Sequence, residues 1–292
     1  MTTRTLPGFT FITPTTIEEA VSFLDRYREK ARILAGGTDT LVLMKKGVAS
    51  PEALITLGNV KGLDRIKYDK NGLTMGPLTT IRDVETSETI RDKYPLLAEA
   101  ARSFGTVQIQ NMATLGGNIC TASPAGDMIL PLLAMDADID ALGNKGRRTI
   151  GLRDFFTGPG KTVMSADEIL VEIRVRPLPR GNGSSFIKIG RTMEDLSKVS
   201  VSTILSVANN RFRDVRIALG SVAPTPIRAI EAEGFLEDKA TSSSVIDKAA
   251  VLACNGIAPI TDDRSTAQYR MEITRVIVKR AIVKALERVG GK

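Results

Sequence analysis

The sequence predicts an α+β fold for this chain of 292 residues. Short strand-like segments and longer segments with helical periodicity follow one another without strict alternation, which favours α+β over a doubly wound sheet. Two pairs of consecutive glycines lie in turn-like segments. Proline and glycine cluster at residues 178–184, between two structured stretches, and this segment is the predicted domain boundary.

The elements of the first half are predicted from capping signals and periodicity. Thr16, followed by Glu18 and Glu19, predicts a capped helix that begins near Ile17. Short apolar runs closed by glycine or turn residues predict strands. These strands lie at 31–39 (running into a glycine turn), 52–60, 72–80, 138–143 and 168–175, and helical periodicity predicts helices at 90–104 and 127–135.

The second half is predicted to contain three strands followed by two helices. The strands are expected at 184–190, 199–208 and 215–223, and the helices at 244–255 and 266–289. The last helix carries an apolar stripe of Val278, Ile282, Leu286 and Val289. Around it the sequence is basic: Arg264, Arg270, Arg275, Lys279, Arg280, Lys284, Arg288 and Lys292 stand against Glu272 and Glu287. This pattern favours a solvated helix face, with a docking surface for an acidic partner as the alternative.

Composition excludes several classes of protein. A hydrophobic content of 42% and a charged content of 25% are typical of soluble globular proteins. No apolar run approaches the ~20 residues of a membrane span, and the N-terminal residues lack the apolar core of a secretory signal, so a cytoplasmic location is expected. Although the net charge is +7, aromatic residues make up only 4% and no reader motif for nucleic acid is present.

The cysteine and histidine counts narrow the possible chemistry. Two cysteines, Cys120 and Cys254, cannot build a disulfide framework or supply four thiolates to an iron–sulfur cluster. The absence of histidine excludes a Ser-His-Asp triad, a histidine-ligated zinc site and a flavin attached through histidine. We therefore expect no catalytic side chain and no metal site, and any redox chemistry would belong to a bound organic cofactor.

The glycine pairs predict a phosphate site. LAGGTD at residues 34–39 and ATLGGNICTASPAGD at residues 113–127 indicate two tight turns whose backbone N–H groups hold a dinucleotide from two sides. For either segment alone, a structural turn or Ω-loop is the alternative. TGPGKT at residues 157–162 is not a phosphate-binding P-loop, because Phe155 stands where that motif requires glycine, and no GxGxxG follows a predicted strand.

These two segments, with residues 155–175, 186–201, 218–229 and 265–270, resemble the FAD-binding medium subunit of molybdenum hydroxylases of the xanthine, carbon monoxide and nicotinate dehydrogenase type. The resemblance runs in order through nearly the whole chain. It implies a two-lobed FAD-binding domain of the vanillyl-alcohol-oxidase (PCMH) type at residues 1–178, with lobes of about 1–58 and 59–178. A C-terminal α+β domain with a three-stranded antiparallel sheet, of the CO dehydrogenase flavoprotein type, would follow at residues 179–292.

The resemblance also implies FAD-binding residues. The backbone of residues 33–40 would wrap the pyrophosphate, and residues 114–118 would form the second phosphate loop. Asp127 would accept hydrogen bonds from ribose or adenine, while Leu170 and Lys188 would lie near the isoalloxazine, a surface lysine being the alternative for Lys188. The residues implied are Ile33, Leu34, Ala35, Gly36, Gly37, Thr38, Asp39, Thr40, Phe104, Thr114, Leu115, Gly116, Gly117, Asn118, Ser123, Asp127, Leu170 and Lys188.

Gln110 and Cys120 lie within or close to the second glycine segment. Gln110 stands where the family often has arginine, which removes any salt bridge made there. Cys120 lies within the second glycine segment, and we interpret it as a small packing residue. The low cysteine count also argues against the hydroxybenzoyl-CoA reductase branch, whose flavin subunit carries an additional iron–sulfur cluster.

By this resemblance, the chain is one subunit of a heteromeric complex. A large partner would hold molybdopterin and hydroxylate the substrate, and a small partner would carry two [2Fe–2S] clusters. This chain would pass their electrons through non-covalent FAD to an acceptor such as NAD. The alternatives are a stand-alone flavin reductase of the UDP-N-acetylenolpyruvoylglucosamine reductase type and a non-enzymatic scaffold built on a degenerate flavin fold.

Overall fold

The computed structural model describes residues 6–290 and begins with a small parallel sheet. Its strands lie in the order β1 (Thr10–Ile12), β3 (Ala53–Thr56), β2 (Ala31–Leu34). Helix α1 (Ile17–Tyr27) begins as predicted, because the Thr16 side chain accepts a hydrogen bond from the amide of Glu19. Its buried face packs with residues of β3 in one apolar cluster. A short helix that the sequence did not predict, α2 (Thr40–Lys45), follows β2.

A five-stranded antiparallel sheet and a run of short helices form the middle of the chain. The strands are β4 (Ile66–Asp69), β5 (Gly72–Met75), β6 (Asp138–Gly143), β7 (Gly146–Gly151) and β10 (Ile169–Val175), in the order β4-β5-β10-β6-β7. A small hairpin, β8 (Phe156–Gly158) with β9 (Lys161–Thr162), precedes β10. The helices between β5 and β6 are α3 (Ile81–Thr86), α4 (Glu88–Lys93), α5 (Pro95–Arg102), α6 (Val107–Gln110), α7 (Leu115–Thr121) and α8 (Ile129–Ala134).

The C-terminal part contains a second antiparallel sheet covered by helices. The three predicted strands are present as β11 (Gly183–Ile189), β12 (Val199–Ala208) and β13 (Arg211–Gly220), and the short β14 (Ile227–Arg228) joins the edge. The helices are α9 (Ile230–Leu236), α10 (Ser243–Leu252) and α11 (Ala267–Glu287). The predicted stripe of α11 packs in the core, since Val278 and Ile282 are fully buried.

The α+β prediction is confirmed, and the structure corrects three local details. The helix predicted at 90–104 is two helices, because Pro95 disfavours helical backbone at Tyr94, which has φ −135° and ψ 54°. The helix predicted at 127–135 begins only at Ile129. Gly116 and Gly117 lie in the first turn of α7 rather than in a loop. The boundary near residue 178 and the lobe boundary near residue 58 stay predictions.

The basic C-terminal stretch forms ion pairs within the chain. Five of its cations pair with carboxylates: Arg264 and Arg270 with Asp262, Lys279 with Asp247, and Lys284 and Arg288 with Glu99. Arg270 is buried, and Lys292 lies outside the described residues. Five of the eight cations in this basic stretch are therefore paired with carboxylates of the same chain. No helix in the described part of the chain has the length and apolarity needed to cross a bilayer.

Candidate functional site

A cavity of about 470 Å³ lies where the β2–α2 turn meets the start of α7 and the segment that leads into β10. Its size falls within the range of small-molecule sites. It gathers residues that are far apart in the sequence, from the first glycine pair to strand β10. The predicted residues on its wall are Ile33, Ala35, Gly36, Gly37, Thr38, Asp39, Thr40, Phe104, Thr114, Gly116, Gly117, Asn118 and Leu170.

The first glycine turn has amides available for a ligand. Among residues 6–290, the backbone N–H groups of residues 36–40 find no acceptor, whereas Leu41 already donates to the Gly37 carbonyl. Gly37 has a φ of +73°, the left-handed conformation that glycine tolerates. Unpaired amides in succession form an anion-binding concavity. This turn has the properties that the sequence predicted.

The backbone of this turn is pressed against the segment that precedes α7. A Cβ atom on Gly36 would lie 1.7 Å from the carbonyl oxygen of Met112. The Thr121 hydroxyl also donates to the Asp39 carboxylate at 3.2 Å, so the two glycine segments are joined directly. Gly36 therefore serves close packing.

The second glycine pair differs from the prediction, because its amides are already used. Gly116 donates to the Pro77 carbonyl at 2.9 Å, and Gly117 donates to the Thr114 hydroxyl, which caps α7, at 3.1 Å. Leu115 and Asn118 donate to the carbonyls of Thr79 and Thr114. The expectation that these N–H groups are open is therefore wrong, since capping and packing satisfy them. The assignment of residues 114–118 to the FAD site stays a prediction.

The second glycine segment contributes close backbone packing at the cavity wall and one side-chain oxygen without a hydrogen-bond donor. A Cβ on Gly116 would meet Pro77 at 2.6 Å, whereas a Cβ on Gly117 would meet only the Thr114 hydroxyl, at 3.0 Å. The Oδ1 atom of Asn118 is buried at this wall and makes no hydrogen bond within the described residues. A buried acceptor without a donor is costly, so this atom suits a ligand hydroxyl or N–H group.

Apolar side chains also line this cavity. They include Phe104 and Leu170, together with Leu43, Leu78 and Met164, which the sequence analysis did not single out. The sequence offered no signal for the last three, because they resemble ordinary core residues. A cavity lined by both apolar side chains and polar groups suits a ligand that carries flat rings and charged groups.

Arg32 was also missed, although it is an exposed cation on the cavity wall beside the first glycine turn. The available signal was an arginine two positions before Leu34, in the predicted strand that runs into the first glycine turn. A guanidinium here adds positive charge next to the unpaired amides, which favours an anionic ligand.

Cys120 lies on the cavity wall as an exposed residue, and protein atoms crowd around its sulfur on the other sides. This desolvation raises the pKa of the thiol to about 12. The thiolate is the reactive form of cysteine, so Cys120 stays protonated and unreactive near neutral pH. The raised pKa argues against a redox role, whereas the packing role stays a prediction because Cys120 is exposed.

Five predicted residues do not reach the cavity wall. Leu34 and Leu115 are not among the lining residues, and the Ser123 hydroxyl accepts a hydrogen bond from the amide of Ala125. Asp127 and Lys188 form a buried ion pair with a separation of 2.7 Å between Oδ2 and Nζ. Their opposite charges satisfy one another, and neither residue lines the cavity, so their contact with FAD stays a prediction.

The environment of this pair changes the titration of the carboxyl group. Burial raises the pKa of Asp127 to about 6, and the nearby Lys188 ammonium opposes that rise. The Oδ1 atom of Asp127 has no hydrogen-bond partner within the described residues. Lys188 also donates to the backbone carbonyl of Ser103 at 2.9 Å.

The comparisons with known proteins give the class of the chain. Residues 7–179 match the family described as the FAD binding domain in molybdopterin dehydrogenase, and residues 184–285 match the CO dehydrogenase flavoprotein C-terminal domain. The chain therefore belongs to the family of FAD-binding medium subunits of molybdenum hydroxylases, and it is an oxidoreductase component. The resemblance noted from the sequence is confirmed.

Relatives and solved structures match over nearly the full length. The chain is 32% identical to the nicotine 6-hydroxylase medium subunit of Paenarthrobacter nicotinovorans, over 96% of this chain and 98% of that protein. It is 32% identical to the carbon monoxide dehydrogenase medium chain of Hydrogenophaga pseudoflava, over 94% and 96%. A structure of carbon monoxide dehydrogenase from the same organism superposes with a TM-score of 0.96, covering 98% of this chain and all of that one. The reductase and scaffold alternatives are not favoured.

Proposed function

We propose that this chain carries FAD within a heteromeric molybdenum hydroxylase and passes electrons from the [2Fe–2S] clusters of a small partner to an acceptor such as NAD. The observation that carries the proposal is a cavity lined both by residues 36–40, whose amides are unpaired, and by apolar side chains. The relatives bear the names of medium chains or medium subunits, which supports partner subunits for this chain as well.

The residues present fit a flavin nucleotide. The amides of residues 36–40 would hold the pyrophosphate, and ordered backbone donors do so with little loss of conformational entropy. The Asn118 Oδ1 atom would accept from a hydroxyl or N–H group, and Phe104 and Leu170 would shield the rings from water. When bound, FAD supplies the exchange between one-electron and two-electron carriers.

The remaining parts of the proposal concern the partners and the location. A large subunit would hold molybdopterin and bind the substrate, so that the identity of the substrate would depend on a different polypeptide. A cytoplasmic location is supported by the two cysteines, which are both free.

The experiment isolates the complex through a tag on this chain and compares the wild type with Gly117→Val. The added side chain would project into the cavity from a position where a Cβ meets only the Thr114 hydroxyl. We expect the variant complex to lose FAD and NAD reduction while substrate still reduces its iron–sulfur clusters, as followed by absorbance and electron paramagnetic resonance.

The matched control is Gly256→Val, because a Cβ there meets no atom within 4 Å. This control should retain both flavin and NAD reduction. The proposal fails if Gly117→Val keeps full flavin content and NAD reduction, or if the wild-type complex contains no flavin.

A further inference from the structure

The backbone around Phe104 requires hydrogen-bond donors, because it follows the end of helix α5. The last carbonyls of a helix have no partner within the helix and must find donors elsewhere. Here the carbonyls of Ala101 and Phe104 accept from the side chain of Gln110 on the nearby helix α6, and that of Ser103 accepts from Lys188 on the distant strand β11. Phe104 itself lies on the cavity wall, so these donors bond to the backbone of a wall segment.

Gln110, on helix α6, supplies one of these donors. Its Nε2 atom donates to the carbonyls of Phe104 at 3.0 Å and Ala101 at 3.3 Å. The side chain is 4% exposed, and its Oε1 atom has no partner within the described residues. A neutral amide thus ties the segment of Phe104 to the segment that leads to the second glycine pair.

Lys188 supplies the donor from the C-terminal sheet. It lies on β11, donates to the Ser103 carbonyl at 2.9 Å and pairs with Asp127 at 2.7 Å. The side chains of Lys188 and Asp127 are 6% and 5% exposed. An ammonium paired with a carboxylate makes a stronger hydrogen bond to a carbonyl than a neutral donor does.

We propose that Lys188 and Gln110 are positioning residues that fix Phe104 as the wall of the FAD cavity by holding the carbonyls of Ser103 and Phe104. Lys188 acts through the backbone of the wall and not through the cofactor. This inference rests on the proposed function, since it takes FAD as the occupant of the cavity.

The test must separate this role from neutralisation of Asp127. The variant Lys188→Met loses the donor to Ser103 but also leaves Asp127 buried without its counter-charge. The double variant Lys188→Met with Asp127→Asn removes that unpaired charge and still lacks the donor. Gln110→Leu removes the second donor independently, and Lys188→Arg retains both the charge and the donors.

Three quantities are measured on the full chain in complex with its partners. The first is the Kd for FAD added back after flavin removal, and the second is the visible absorption band of the bound flavin. The third is the Tm of the flavin-free protein. Loss of one charged hydrogen bond predicts a Kd about 10-fold higher in Lys188→Met, in the double variant and, to a smaller extent, in Gln110→Leu. The flavin band should shift in these variants, and Lys188→Arg should bind more tightly than Lys188→Met.

The matched control is Lys279→Met, which removes a lysine that pairs with Asp247 and touches no part of the cavity. It should leave the Kd unchanged. If the double variant binds FAD like the wild type with an unaltered flavin band, Lys188 serves only to neutralise Asp127 and the inference is overturned. A wild-type complex that binds no FAD would instead overturn the proposed function.

Discussion

Gly36 occupies a position where no side chain fits. Because a Cβ there would lie 1.7 Å from the backbone oxygen of Met112, Gly36→Ala must push the two glycine segments apart. We expect a loss of about 3 kcal/mol or more in the free energy of unfolding, together with loss of flavin. Chemical denaturation of the variant and its flavin content after gel filtration measure both effects.

The control for this prediction is Gly234→Ala on helix α9, where a Cβ would meet nothing within 4 Å. Alanine has a higher helix propensity than glycine, so this variant should be neutral or more stable by up to about 1 kcal/mol. Equal stability of Gly36→Ala and the wild type would contradict the close contact.

The Asp127 carboxyl should make stability depend on pH in an unusual direction. Its pKa is raised from 3.8 to about 6, so the folded state binds the proton more tightly than the unfolded chain does. The resulting stabilisation is fully present below pH 3.8 and is lost as the pH rises through about 6. The variant Asp127→Asn has no titrating carboxyl at this position and lacks this pH-dependent stabilisation.

We therefore expect the stability of the wild type relative to Asp127→Asn to fall by roughly 2 kcal/mol between about pH 4 and pH 7. Urea unfolding of the two proteins across this range measures the difference. Parallel stability profiles would show that the buried carboxyl does not titrate as described.

At the scale of single residues, the sequence could indicate which residues matter but not which of their atoms are free. Both glycine pairs were recognised from the same local pattern. Only the fold reveals that the Gly116 amide donates to the Pro77 carbonyl, whereas the amides of residues 36–40 have no acceptor among the described residues. A hydrogen bond to a distant carbonyl leaves no trace in the local sequence.

Among the secondary-structure elements, helix α7 links the second glycine pair to the cavity. Its N-cap is Thr114, whose hydroxyl accepts from the Gly117 amide at 3.1 Å. Thr114→Ala should lower the free energy of unfolding by about 1 kcal/mol and leave that amide without its acceptor. Thermal unfolding measures the change.

Thr114→Ser keeps a hydroxyl at the same place and should recover most of the lost stability, since serine is at least as good an N-cap as threonine. A serine variant as unstable as the alanine variant would show that the methyl group of Thr114, and not its capping hydrogen bond, stabilises α7.

The sequence predicted elements well where local chemistry sets their ends. Thr16 begins α1 as expected, and the strands of the C-terminal sheet fall close to their predicted positions. The break at Pro95 had a local signal, proline, that the helical periodicity around it obscured. Helix α2 had no clear signal, because its six residues are too few to show a period.

Across the whole molecule, Glu99 joins the two halves of the chain. Its carboxylate accepts from the Phe186 amide at 3.0 Å and pairs with Lys284 and Arg288 of the C-terminal part. Burial opposes ionisation, but the hydrogen bonds from Arg288 and Lys284 prevail, so the pKa of Glu99 is lowered from 4.5. Its stabilisation is present above pH 4.5 and is lost as the pH falls toward the lowered value.

Glu99→Gln should therefore reduce the free energy of unfolding by about 1–3 kcal/mol at neutral pH, and this difference should shrink in acid. Denaturation at several pH values measures it. The control, Glu52→Gln, breaks an exposed pair with Lys30 and should change stability by less than about 0.5 kcal/mol. A loss in Glu99→Gln no larger than in this control would contradict the bridging role.

The sequence by itself determined the class of fold, the order of the elements that have a local signal, the absence of histidine chemistry and the flavin-subunit family, because these follow from local pattern and from motifs that occur in a fixed order. The tertiary structure decided which glycine amides are open, that Asp127 and Lys188 pair with each other behind the cavity, and that the basic last helix binds Glu99. Each of these depends on groups that lie tens of residues or more apart in the chain and meet only after folding, where burial and charge pairing select the partner.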